Sequence, residues 1–169
     1  MRAFKRADQV LEVGPGLGVL TEALAQAGAK VTALEIDRRL ITRLNERFRE
    51  TQGVSILEGN ILQTDLGEMV NTFFSDGTYQ VVANIPYYIT APIIRLFLTL
   101  PRQPKQLVLM VQNEVAERLG APIGSMSLLS VMAQYYSEVE KCLFVPRASF
   151  EPVPKVDSAI VRIVPQTSL

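Results

Sequence analysis

Residues 11–18 read LEVGPGLG: the end of an apolar run, then three glycines in five positions. Gln9–Val13 (QVLEV) predicts a buried strand that stops at Gly14. Leu17, Leu20, Leu24 and Ala27 then fall at helical spacing, and Gly28 is placed to end that helix. Lys30–Glu35 (KVTALE) predicts a second strand. Strand, glycine turn, helix and strand form the repeating unit of a parallel α/β sheet.

The same alternation continues outward. Asp37 is a capping residue for a helix with Leu40, Ile41, Leu44 and Phe48 on one face. Val54–Glu58 predicts a third strand, residues 66–74 a weaker helix, and Ser75, Asp76 and Gly77 a turn. Residues 79–83 predict a fourth strand, 91–100 a helix ended by Pro101, and 106–112 a fifth strand. Helices are expected from 114–119 and 127–136, then strands at 138–145 and 157–164 with only a Pro-rich loop between them. The expected fold is α/β, mostly parallel, with helices on both faces and an antiparallel hairpin at one edge.

Composition narrows the chemistry. Of 169 residues, seventeen are basic and seventeen acidic, so no net positive charge advertises a nucleic-acid partner, although a local patch remains open. The absence of His excludes Ser-His-Asp and Cys-His nucleophile systems and His-ligated metals. One Cys excludes an internal disulfide and a Cys-cluster zinc site, and it suits a reducing, cytoplasmic setting. No stretch approaches the roughly 20 apolar residues of a membrane span, and no leader is read at the polar start MRAFKRAD. The expectation is a monomer without metal and without a membrane partner.

Residues 14–18 form a turn in which a backbone can approach a ligand. Glu35, at the end of the next strand, is placed to accept both hydroxyls of a ribose. The spacing is GxGxG rather than the GxGxxG of dinucleotide sites. Glu12 sets a negative charge just ahead of the loop, which disfavours a pyrophosphate. A cofactor with a ribose and a positive charge fits better, namely S-adenosylmethionine. A glycine turn serving tight packing alone stays open at this point. Beyond the third strand, Gly59, Asn60 and Ile61 form a second nucleoside handle, with the Asn60 oxygen an acceptor for an adenine amino group. Ile36 is placed to lie on the adenine face. Read singly, Ile36 is core and Asn60 a turn residue; both gain weight from their place at the carboxyl ends of strands.

Asn84, Ile85, Pro86 and Tyr87 (NIPY) follow the fourth strand directly. The exocyclic nitrogen of adenine is a poor nucleophile, because its lone pair is delocalised into the ring. Two acceptors aimed at its two hydrogens favour the tetrahedral geometry that attack requires. The Asn84 side chain and the Ile85 carbonyl are such acceptors. Pro86 stiffens the turn and has no competing N–H. Tyr87 is placed to stack on the base. Phe150, in the Pro-rich loop VPRASFEPVPKVDS, is a second aromatic for a base sandwich, with a core plug as the alternative.

LEVGPGLGVLT, ALEID, NIPYYIT, SVMAQYY and FEPVPKVDSAIVR together resemble the ribosomal RNA adenine N6,N6-dimethyltransferases of the KsgA type. The resemblance runs from about Val10 to Val164. It implies a class I methyltransferase (Rossmann-like) fold: a mostly parallel seven-stranded sheet with an antiparallel last strand. It implies dimethylation of two adjacent adenosines in small-subunit ribosomal RNA, with S-adenosylmethionine as donor and the partly assembled small subunit as partner. By motif, Glu12, Gly14 and Gly16 lie along the methionine part of the donor, Glu35 on its ribose, and Ile36 and Asn60 on its adenine. Asn84 borders donor and target amine, and Tyr87 and Phe150 hold the target base.

The family also carries an N-terminal Q-x-F-L-type motif and a C-terminal helical domain, so residues 1–169 are expected to be the catalytic domain alone. Asn60 stands where the family usually has Asp, and Met126, Ser127 and Leu128 replace the usual Tyr-Gly-Arg. Two alternatives stay open: a resistance-type methyltransferase of large-subunit ribosomal RNA, and a non-catalytic, RNA-binding assembly factor. Arg38, Arg39, Arg43, Arg47 and Arg49 on one helix form either an RNA-facing patch or a solvated face.

Overall fold

The computed structural model describes residues 8–75 and 77–166, and Tyr87 by its backbone alone. Asp76, in the expected turn at 75–77, lies outside the described residues. The elements are β1 (Gln9–Val13), α1 (Val19–Gln26), β2 (Lys30–Glu35), α2 (Arg38–Arg47), β3 (Val54–Glu58), α3 (Leu66–Phe73) and β4 (Tyr79–Asn84). They continue as α4 (Thr90–Leu98), β5 (Leu107–Gln112), α5 (Asn113–Leu119), α6 (Leu128–Tyr136), β6 (Ser137–Val145) and β7 (Ser158–Pro165). The seven strands run in the order β3-β2-β1-β4-β5-β7-β6, the mostly parallel sheet expected from the sequence.

The chain divides into two compact units, Met1–Ala83 and Asn84–Leu169. In the first, β1 pairs in parallel with β2 and β4, and β2 with β3. Val10, Leu11, Val31, Ala33 and Val81 are buried, as parallel strands covered on both faces require. In the second, β7 lies between β5 and β6 and is antiparallel to both. Leu107, Leu109, Val111, Val161 and Ile163 form the strand side of its core, with Ile93 and Phe97 from α4. A capping box between Ser127 and Ser130 starts α6.

Helix ends account for most departures from expectation. The first helix was expected to include Leu17 and Ala27. Gly18, in a left-handed conformation, caps α1 instead, so Leu17 stays in the loop and is 65% exposed, and Ala27 is the C-cap. α4 starts at Thr90 after a 3₁₀ turn at Tyr87–Ile89 and stops at Leu98, short of Leu100. Among the described residues no helix is long and apolar enough to cross a membrane, and no cluster of acidic or Cys side chains suits a metal ion.

Candidate active site

The parallel register aligns the carboxyl ends of the first unit's strands. Val13 lies beside Leu34 and Ala83, and Glu35 beside Glu58. The loops after β1, β2 and β3 therefore leave from one end of the sheet, where α/β sheets bind ligands.

The 14–18 loop is shaped by its backbone. The Gly14 N–H donates to the Leu34 carbonyl at 3.0 Å, and Gly18 N–H closes a turn on the Pro15 carbonyl at 2.9 Å. Gly18 adopts φ +82°, and a Cβ there would meet Phe48 at 2.7 Å and Leu44 at 2.8 Å. A side chain is thus excluded on both backbone and packing grounds. Gly14 and Gly16 differ: nothing lies within 4 Å of a Cβ built on either. Their faces are an open cradle.

Glu35 closes that cradle. Its residue is 5% exposed. Oε1 accepts from the Ile36 N–H at 2.8 Å and the Asp37 N–H at 3.0 Å, and Oε2 accepts from the Gly16 N–H at 3.1 Å. Oε1 thus accepts two bonds and Oε2 one, so one of the roughly four lone-pair sites, on Oε2, is left to receive a ribose hydroxyl. Ile36, beside it, is 64% exposed rather than core, and its side chain is free to cover a flat apolar ligand.

Glu12 is buried more deeply than its sequence position suggests. Thr21, itself fully buried, donates its hydroxyl to Glu12 Oε2 at 2.6 Å, while Oε1 is sealed from solvent without a partner. Burial pushes the Glu12 carboxyl up to about 7; the Thr21 hydrogen bond opposes this shift and the nearby Glu35 charge adds to it. The full negative charge inferred ahead of the loop is therefore only partly present at neutral pH. What remains is a buried acceptor that a cationic ligand would favour.

After β3, Asn60 Oδ1 accepts from the Leu62 N–H at 3.0 Å, and its carbonyl accepts from Gln63, Thr64 and the Thr64 hydroxyl. The side chain thus builds its own turn, and one oxygen lone pair and the amide donors remain for a ligand. The Ile61 side chain is buried, so at this position only backbone is on offer.

In the second unit, Asn84 is exposed, Ile85 buries its side chain, and Pro86 precedes the 3₁₀ turn. Asn84, Ile85 and Pro86 line a cleft of about 340 Å³ with Phe150, Glu151, Pro152 and Pro154. The structure thus brings Phe150 to the NIPY backbone. Phe150 is half-buried at this cleft and not a core plug. Asp157 holds the loop: Oδ1 accepts the Arg147 N–H at 2.8 Å, and its carbonyl accepts the Asn113 N–H at 3.0 Å. The Tyr87 side chain lies outside the described residues.

Of the five arginines, Arg38 and Arg39 are ion-paired but stay largely exposed, and Arg49, expected on the same helix, lies past its end. Arg38 pairs with Glu58, Arg39 with Asp37, and Arg47 with Glu22. Asp37 caps α2 through the Arg39 N–H, and that neighbouring arginine holds its carboxyl down at about 2. Sequence reasoning missed Thr21 and Arg47. The former showed only as a lone hydroxyl in an apolar helix start, the latter only as one arginine among five.

A glycine cradle after β1, a carboxylate at the end of β2 and a sheet with β7 antiparallel beside β5 define the class I methyltransferase fold. The profile of the family described as ribosomal RNA adenine dimethylase matches residues 3–169. The chain belongs to that family. It is 41% identical over 167 residues to ribosomal RNA small subunit methyltransferase A of Dehalococcoides mccartyi, a match covering 98% of this chain and 56% of the relative. The chain thus spans about half the length of the curated relatives it matches. A dimethyladenosine transferase from Plasmodium falciparum superposes with a TM-score of 0.81 at 35% identity, over 96% of this chain and 57% of that one. The 23S rRNA methyltransferase ErmE superposes with a TM-score of 0.82 at 34% identity, over 98% and 65%.

Proposed function

We propose that this chain transfers methyl groups from S-adenosylmethionine to the N6 amino group of adenosines in small-subunit ribosomal RNA, dimethylating two adjacent adenosines. The observation that carries the reading is the cleft that joins Asn84, Ile85 and Pro86 to Phe150. Residues that carry hydrogen-bond acceptors and an aromatic ring line a cleft of about 340 Å³, which supports one nucleobase as its occupant. The name of the Dehalococcoides relative supports the small-subunit substrate.

The first unit fits the donor. Gly14 and Gly16 leave an open backbone cradle, Glu35 offers a remaining lone pair on Oε2, and Ile36 offers an apolar face. When bound, S-adenosylmethionine supplies a methyl group already activated on a sulfonium. The protein's part is to select and orient the nucleophile. Phe150, and Tyr87 across the base, replace the stacking that an adenine loses on leaving its helix. The Asn84 side-chain oxygen and the Ile85 carbonyl accept the two amino hydrogens, which favours the pyramidal nitrogen over the planar one and so lowers the barrier. No titrating base is needed, which suits a chain without His. The setting is cytoplasmic, and the acting species a monomer on a partly assembled small subunit.

The superposition on ErmE favours a second reading, methylation of large-subunit RNA. One assay separates the readings: methyl-labelled donor with partly assembled small subunits and, in parallel, with large-subunit RNA. The expected product is N6,N6-dimethyladenosine in small-subunit RNA. Label in large-subunit RNA alone would select the second reading. Donor and RNA binding without transfer would select the assembly factor.

A further inference from the structure

The 14–18 loop is tied to the sheet on one side, by Gly14 to Leu34 and Gly16 to Glu35. Its far half is held differently. The Leu17 side chain is largely exposed and anchors nothing. The Leu17 carbonyl accepts from Arg47 Nη1, at the last residue of α2. Arg47 Nη2 is fixed in turn by Glu22 Oε2 of α1 at 2.8 Å. The guanidinium carbon stands 5.4 Å from the centroid of the Phe48 ring, which itself abuts Gly18. A rigid planar fork with two committed donors is suited to fixing one carbonyl in place.

We propose that Arg47 is a positioning residue of the methyl-donor site: from the end of α2 it holds the Leu17 carbonyl and sets the path of the 14–18 loop. The inference rests on reading that loop as the donor cradle. Arg47 touches neither donor nor base. It acts by keeping the loop in its binding conformation before the donor arrives, so the ordering cost is not charged against affinity. Its ion pair with Glu22 is partly exposed at both ends, so it contributes little to global stability. Removing Arg47 should therefore loosen the loop and leave the rest of the fold nearly unchanged.

The test uses the full chain as wild type, Arg47→Ala, Arg47→Lys and Glu22→Gln, with S-adenosylmethionine affinity by calorimetry and amide exchange over residues 14–18. Arg47→Ala should bind the donor about tenfold more weakly and exchange its loop amides faster, at a nearly unchanged Tm. Arg47→Lys, with one ammonium for two acceptors, should fall between. Glu22→Gln should weaken binding about two- to threefold, because a neutral partner fixes the guanidinium less well. In turnover the donor KM should rise while kcat is kept. A folded Arg47→Ala with wild-type affinity and wild-type loop exchange overturns the proposal. Should Arg47→Ala not fold, wild-type behaviour of both Arg47→Lys and Glu22→Gln overturns it. A wild-type chain that binds no donor overturns the cradle reading instead, and loop exchange then still decides whether Arg47 holds the loop.

Discussion

The Gly16 N–H donates to Glu35 Oε2 at 3.1 Å, joining the loop after β1 to the end of β2. The two features that mark a nucleoside site in the sequence are therefore one unit. With the Ile36 and Asp37 amides on Oε1, Glu35 collects three backbone N–H groups, so its orientation is set before any ligand is present.

Glu35→Ala should consequently harm donor binding twice, by removing the ribose acceptor and by freeing Gly16. Hydrogen bonds to a charged group contribute about 1.5–3 kcal/mol, so affinity should fall about ten- to a hundredfold. Glu35→Gln, with a single oxygen, should lie between. Titration calorimetry reads the difference; equal affinity for wild type and Glu35→Ala would remove Glu35 from the site.

Gly14 and Gly18 should respond differently to alanine. At Gly18 a methyl group meets Phe48 and Leu44 in a left-handed backbone. Strain and overpacking together should cost about 2–4 kcal/mol of stability. At Gly14 the surroundings are open, so only the backbone cost of about 1–2 kcal/mol remains, while the new methyl occupies ligand space. Urea unfolding should rank Gly18→Ala below Gly14→Ala in stability, and calorimetry should show donor affinity lost in Gly14→Ala. The reverse order would mean that the cradle is not open where the structure has it.

β1, β2 and β3 were legible because each is a short run rich in apolar residues with Gly or Asp close to its ends, and they end at the expected residues. The start of α1 was not, because Leu17 matches the helical spacing and only the left-handed Gly18 excludes it. That β7 lies inside the pair β5 and β6 depends on strand pairing, which local pattern does not encode. The motifs LEVGPGLG, ALEID and NIPY could be read directly. Phe150 was read at the same site, with a core plug as the alternative, and it lies in the cleft with Asn84; the ties Glu12–Thr21 and Arg47–Leu17 are tertiary, made by residue types common on any helix or loop.

Asn84→Ala should separate chemistry from donor binding. The side chain is exposed at the end of β4, at the cleft it shares with Phe150. An acceptor that acts chiefly in the transition state should lower kcat by about a hundredfold or more, as loss of one oriented hydrogen bond does elsewhere. Donor affinity should change much less. Single-turnover methylation of small subunits with a catalytically competent form of the protein provides the measurement, and a wild-type rate for Asn84→Ala would strike NIPY from the mechanism.

Glu12 should make stability depend on pH in a defined window. Its folded carboxyl titrates at about 7 against the usual 4.5, mainly because it is buried. Between those values the folded chain holds a proton that the unfolded chain releases, so stability falls as pH rises. The contribution of the neutral carboxyl is complete below about pH 4.5 and is lost progressively up to about pH 7, beyond which the penalty is constant. At 1.36 kcal/mol per unit the whole loss is about 3 kcal/mol. Glu12→Gln keeps the shape and removes the titration, so its unfolding free energy minus that of the wild type should grow by about 2–3 kcal/mol from pH 5 to pH 8. Denaturant unfolding of both proteins across that range isolates Glu12, because other titrating groups cancel in the difference. Thr21→Val, which removes the hydrogen bond that stabilises the charged form, should push the Glu12 carboxyl further up and enlarge the loss. Parallel profiles for wild type and Glu12→Gln would mean that Glu12 stays ionised in the fold, with its second oxygen reached by a partner that offsets its burial.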